Sequence, residues 1–140
     1  MPTYEQTGKA GKVLQTPVIA IIDDDEEVRV ATENLVQSYG LEAHTFASAE
    51  AFLDSSVVDE TACLITDVQM PGMSGVDLQT ALLMQGCNVP MIFITAFPEE
   101  RLRRQAEASG ALGFLTKPFD ARSLMACIDK ALERIDRRAI

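Results

Sequence analysis

Val18-Ile19-Ala20-Ile21-Ile22 is an unbroken apolar run that stops at three acids, Asp23-Asp24-Asp25. Five consecutive apolar residues leave no polar face for water, so the run reads as a strand buried on both faces. Strands of that kind belong to parallel sheets with helices packed above and below. The rest of the chain repeats the theme. Glu42 to Phe46 alternates as a short strand, and Thr61 to Thr66, Met91 to Ile94 and Ala111 to Thr116 read as three more.

Helical segments separate these strands. Val28, Ala31, Leu35 and Tyr39 fall on one helical face, and Gly40 closes that helix. Ser48 caps a short helix with Ala49, Phe52 and Leu53 on one side. Ser74 caps a third, over Val76 to Gln85. Pro98 suits the first turn of a fourth helix, which Gly110 ends. Asp120 caps the last, where Leu124, Ile128, Ala131 and Ile135 share a face. Arg134, Arg137 and Arg138 lie at its C-terminal end, where the helix dipole favours cations.

Five strands alternating with five helices predict a doubly wound, flavodoxin-like (βα)5 domain over residues 17–138, with sheet order 2-1-3-4-5. Residues 1–16 show no apolar period and read as a flexible N-terminal tail. A chain of 140 residues suits one domain with a core of its own. No apolar run is long enough to span a membrane, and the N-terminus lacks a secretory core. A net charge of -9 argues against nucleic-acid binding by this domain. Cys63, Cys87 and Cys127 are widely spaced in apolar segments, as expected of reduced core thiols in a cytoplasmic protein.

The predicted topology gives the strand ends a meaning. Asp67 falls where the third strand stops, before the Pro71-Gly72 turn. In the order 2-1-3-4-5 the first and third strands are neighbours, so Asp23, Asp24 and Asp67 converge at the carboxyl edge of the sheet. Clustered carboxylates are tolerated around a divalent cation, and an all-oxygen set points to Mg²⁺, or Mn²⁺ in its place. Asp25 reads as a helix cap. Thr95 and Lys117 end the fourth and fifth strands at the same edge. A carboxylate flanked by a cation site, a hydroxyl and an ammonium suits phosphoryl transfer onto Asp67.

These stretches resemble the receiver domain of bacterial two-component response regulators. The resemblance rests on Ile22-Asp23-Asp24-Asp25 with Val28-Arg29, on Thr66 to Gly75, on Ile94-Thr95-Ala96 and on Phe114-Leu115-Thr116-Lys117-Pro118-Phe119. Ser48 to Leu53 is similar to the subfamily often linked to helix-turn-helix output domains. The resemblance implies roles for individual residues. Asp67 is the phosphoacceptor, Asp24 a direct metal ligand and Asp23 a second, often water-mediated one. The backbone carbonyl of Gln69 supplies the third protein ligand. Thr95 is the switch hydroxyl, Phe114 the aromatic switch position, Lys117 the phosphate-binding lysine, and Lys117-Pro118 a cis peptide. No organic cofactor is implied. The implied partners are a sensor histidine kinase or histidine phosphotransfer protein, and a downstream protein reading helix four, strand five and helix five, Pro98 to Arg134. A phosphorylation-dependent dimer stays open. Phe97 and Gln69 stand where they could shape water access to an acyl phosphate.

The other marked residues read as ordinary structure. His44 is the sole histidine and lacks a catalytic partner, Met70, Met73 and Met84 suit packing, and Arg101 to Arg104 suit a solvated helix face. A stand-alone receiver is the first reading and a receiver from a DNA-binding transcription regulator the alternative. Two further readings are a metal-dependent phosphohydrolase and a non-phosphorylated interaction domain. Against the phosphohydrolase, Gln69 occupies the place where a second acid would serve that chemistry. Against the interaction domain stands the complete acid, Thr and Lys set.

Overall fold

The computed structural model describes residues 16–139, with side chains as far as residue 134. The expected tail therefore lies outside the described residues except for Thr16, as do the side chains of Ile135, Arg137 and Arg138. The strands are β1 (Val18–Ile22), β2 (Glu42–Phe46), β3 (Thr61–Asp67), β4 (Met91–Thr95) and β5 (Gly113–Thr116). The helices are α1 (Glu26–Ser38), α2 (Ala49–Leu53), α3 (Gly75–Met84), α4 (Glu100–Ala108) and α5 (Ala121–Ala139), with a single 3-10 turn over Val58–Glu60. All the strand pairs are parallel and the order is β2-β1-β3-β4-β5.

Strand alternation divides the core into two layers. Ile19, Ile21, Cys63, Ile65, Ile92 and Ile94 face α1 and α5, where Val36, Leu124, Ile128 and Ala131 complete the packing. Ala20, Ile22, Leu64 and Phe93 face the other side and meet Phe52 of α2, Leu78 and Leu82 of α3 and Ala106 of α4. With both faces covered, β1 and β4 are buried along their whole lengths. The continuous apolar runs in the sequence have this cause.

Four local expectations need correction. The buried stripe of α1 is Thr32 and Val36, flanked by half-buried Val28 and Leu35, whereas Ala31 and Tyr39 are exposed. Thr32 is tolerated inside because its hydroxyl donates to the Val28 carbonyl at 2.7 Å. Pro98 lies before α4, not in its first turn: Glu99 is extended at φ -123° and takes the N-cap position, so the helix begins at Glu100. Strand β5 starts at Gly113, not Ala111. The Ala111 N–H instead closes α4 by donating to the Ala106 carbonyl at 3.0 Å, beyond Gly110 at φ +103°. Finally, Met84 is 83% exposed and does not pack, while Cys87 is half-buried and packs at the margin of the core instead of inside it.

The caps match their sequence signals. Asp25 accepts the Glu27 and Val28 N–H groups, Ser48 that of Ala51, and Asp120 that of Ser123. Ser74 and Asp77 form a reciprocal capping box at the start of α3.

Candidate functional site

The site is built where β1 and β3, neighbours in the sheet, end side by side. Ile22 pairs with Thr66, so Asp23 emerges beside Asp67. Asp23 is fully buried, Asp67 nearly so, and Asp24 is exposed at the mouth. One carboxylate oxygen from each lies within 4.8 Å of the others. Backbone contacts hold the acids in place. Asp23 Oδ1 accepts the Asp25 N–H at 2.9 Å, and Asp67 Oδ1 accepts the Gln69 N–H at 3.1 Å. Arg29, from the first turns of α1, donates through Nη1 to the Asp23 carbonyl at 2.7 Å and fixes the acidic turn.

The cationic partner comes from the far edge. Lys117 follows β5, and its Nζ stands 2.8 Å from Asp67 Oδ2 and 2.9 Å from Asp23 Oδ2. Burial pushes the Asp23 carboxyl above the ordinary range, a rise that the Asp25 N–H and Lys117 oppose. Burial alone would pull the Lys117 ammonium down, but its hydrogen bond to Asp67 and its ion pair with Asp23 outweigh that and raise it. Thr95, 1% exposed, ends β4 and accepts the Phe97 N–H on Oγ1 at 3.1 Å. The Lys117 N–H donates to the Thr95 carbonyl at 2.8 Å, so the hydroxyl and the ammonium hang from adjoining strand ends.

The residues fit a hard divalent cation. Asp23 Oδ2 is buried and receives no well-directed hydrogen bond, only the Lys117 ion pair. Asp23, Asp24 and Asp67 together offer a set of ligand atoms made of carboxylate oxygen alone. Three carboxylates, two of them buried, against one ammonium leave a formal excess of two negative charges, which a divalent ion would neutralise.

The remaining expected residues are distributed around this crevice. Gln69 is exposed, and its Nε2 donates to Glu99 Oε2 at 3.4 Å. Phe114, half-buried, faces Phe93 with ring centroids 6.2 Å apart. Phe97 is exposed. The Lys117-Pro118 peptide is cis. His44 lies away on β2, paired with Glu42 at 2.6 Å. The arginines at 101, 103 and 104 pair with Glu99, Glu100 and Glu107 along the solvated face of α4.

Three residues that stand within the resembling stretches have structural roles that the sequence reading did not assign. Gly75 is buried against the backbone of Asp67, where a Cβ would overlap the carbonyl oxygen. The only hint is a glycine directly after a helix cap. Arg29 carries a weak signal, one helical turn after Asp25. Glu50 bonds the Met73 N–H across 23 residues of sequence, and no local pattern announces it.

An acidic crevice at the switch point of a five-stranded parallel sheet, closed by a lysine just past the fifth strand, is the arrangement of receiver-type signalling domains. Residues 19–129 match the response regulator receiver domain, and the chain belongs to that family. Response regulator protein TmoT of Ectopseudomonas mendocina is 41% identical over 128 residues, covering 91% of this chain and 58% of TmoT. Nodulation protein W of Bradyrhizobium diazoefficiens is 38% identical over 86% of this chain and 53% of its own length. Among solved structures, response regulator StyR superposes with a TM-score of 0.82 at 36% identity, over 89% of this chain and 64% of that one. The FixJ N-terminal domain gives 0.76 at 33%, over 86% and 96%. The chain spans about half the length of the curated relatives it matches. Among the described residues, no helix is long and apolar enough to cross a membrane.

Proposed function

We propose that this receiver, over residues 17–138, takes a phosphoryl group on Asp67 from a sensor histidine kinase or histidine phosphotransfer protein in the cytoplasm. The observation that carries the reading is the setting of Asp67: its carboxylate ends β3 beside Asp23 and Asp24, with the Lys117 ammonium 2.8 Å from Oδ2. An Asp67 oxygen attacks phosphorus in line. The P–O bond forms as the P–N bond of the donor phosphohistidine breaks, and the imidazole nitrogen takes up a proton. Lys117 and the Thr95 hydroxyl take charge on the transferred oxygens. Mg²⁺, or Mn²⁺, held by Asp23, Asp24, Asp67 and the Gln69 backbone carbonyl would supply the remaining positive charge. Gln69, in place of a second acid, speaks against turnover of an outside substrate.

The phosphoryl group is then read at the surface. Thr95 drawn toward it vacates space that the Phe114 ring can enter, and the face of α4, β5 and α5 changes for a downstream partner. Moving a population from 1:99 to 99:1 requires about 5.5 kcal/mol. One hydrogen bond contributes about 0.5–1.5 kcal/mol, so the Thr95 contact needs the Lys117 and metal contacts beside it. Relatives such as TdiR of Thauera aromatica are named transcriptional regulatory proteins. We therefore place the output in transcription, through a region on the same chain or on a partner. Beryllofluoride, a phosphoryl mimic, tests the switch. Amide shifts across α4, β5 and α5 are expected in the wild type and blunted in Thr95→Ala. A wild type responding only on α1 and α2, or a Thr95→Ala variant responding fully, would refute it.

A further inference from the structure

The loop between Asp67 and α3 is fastened at both ends. At its start the Gln69 N–H bonds Asp67 Oδ1, and at its end the Gly75 N–H donates to the Val68 carbonyl at 2.9 Å. Between them, Pro71 has no N–H, and Gly72 turns the chain at φ +78°. A hydrogen bond reaches this middle stretch from Glu50, in the first turn of α2. Its Oε2 accepts the Met73 N–H at 2.9 Å. The same oxygen would lie 2.7 Å from a Cβ on Gly72, so the carboxylate occupies the space that the glycine leaves. Helix α2 is itself anchored by Phe52, fully buried and edge-on to Phe46 at 5.4 Å. Met70 and Met73 pack on the same core. Glu50 thus ties the loop that follows Asp67 to a fixed element, through a charge-assisted hydrogen bond.

We propose that Glu50 is a positioning residue for the cation site: by holding Met73 it fixes the loop that carries Gln69, and so sets how tightly the divalent ion binds. Glu50 touches neither the ion nor the acceptor and acts through the backbone. The inference rests on the proposed cation site. Glu50 is exposed, so its replacement leaves the core intact.

The test is calorimetric titration of the whole chain with MgCl₂, for wild type, Glu50→Ala and Glu50→Gln. Both variants remove the Glu50 negative charge, but only Glu50→Ala removes the oxygen that accepts the Met73 N–H. Glu50→Ala is expected to weaken Mg²⁺ binding about tenfold, the low end for an outer-shell partner. Glu50→Gln should recover most of that loss, and hydrogen exchange at the Met73 amide should quicken in Glu50→Ala alone. Equal weakening in both variants would assign the effect to charge and overturn the positioning role. A Glu50→Ala affinity equal to wild type would overturn it too, leaving the cation site standing. A wild type that binds no Mg²⁺ would overturn the cation site, and the inference with it.

Discussion

Replacing Gly75 by alanine asks whether β3 and α3 are as closely joined as the structure places them. On an ordinary helix Gly→Ala stabilises by up to about 1 kcal/mol, so without a clash the variant should melt higher. Here the new methyl would overlap the carbonyl oxygen of Asp67 and stand 3.2 Å from its carbonyl carbon and from Phe93 Cε1. Both obstacles are fixed, one being backbone and the other a ring buried in the core. Relief must separate α3 from β3, at the overpacking cost of about 1–3 kcal/mol. At about 4 °C per kcal/mol, Tm falls by roughly 4–12 °C. The displaced atoms carry the proposed acceptor carboxylate, so its alignment suffers as well, and a misplacement near 1 Å costs on the order of 100-fold in rate. Gly40→Ala is the control: its φ of +82° strains an alanine, but nothing lies within 4 Å of the new methyl. That variant should lose stability and keep its phosphorylation rate. The measurements are thermal melts and the rate of mass gain with acetyl phosphate. A Gly75→Ala protein that melts at or above wild type and is phosphorylated normally would refute the close-approach argument.

Asp24→Ala should abolish Mg²⁺ binding in the crevice while leaving the fold intact, because Asp24 is exposed and its loss relieves repulsion with Asp23 and Asp67; unchanged affinity by amide-shift titration would remove Asp24 from the site. Asp120 offers a pH test. The Ser123 N–H, then the Ser123 side chain, hold its carboxyl below the usual range. A folded pKa below the unfolded one contributes stability above the unfolded value and loses it as pH falls through the folded one. Asp120→Ala should therefore be less stable than wild type in urea melts at neutral pH, with the gap closing in acid; a gap constant with pH would contradict the cap.

Much of the architecture was legible because burial on both faces writes itself into sequence. Val18–Ile22 and Met91–Thr95 cannot be amphipathic when helices cover both sides of the sheet. Given a parallel sheet, the strand ends then place Asp23, Asp67, Thr95 and Lys117 on one edge, and the order 2-1-3-4-5 brings the first two together. The losses have separate physical causes. The α1 stripe was misphased because Thr32 is buried with its hydroxyl satisfied by its own helix, so a polar letter hid a core position. The start of β5 was set too early because Ala111 completes the end of α4. Glu50 was not legible because it acts on the Met73 backbone 23 residues away, and Gly75 gave only its place after a helix cap, since no periodicity encodes its approach to the Asp67 backbone.

The central claim is that Asp67 accepts the phosphoryl group with a divalent ion beside it. Intact mass after incubation with acetyl phosphate tests this most directly, in MgCl₂ and in EDTA, for wild type and Asp67→Asn. The account predicts the gain of one phosphoryl group by the wild type in MgCl₂ alone, and none by Asp67→Asn in either condition. A folded wild type that never gains the mass, or an Asp67→Asn protein that gains it as readily, would contradict it.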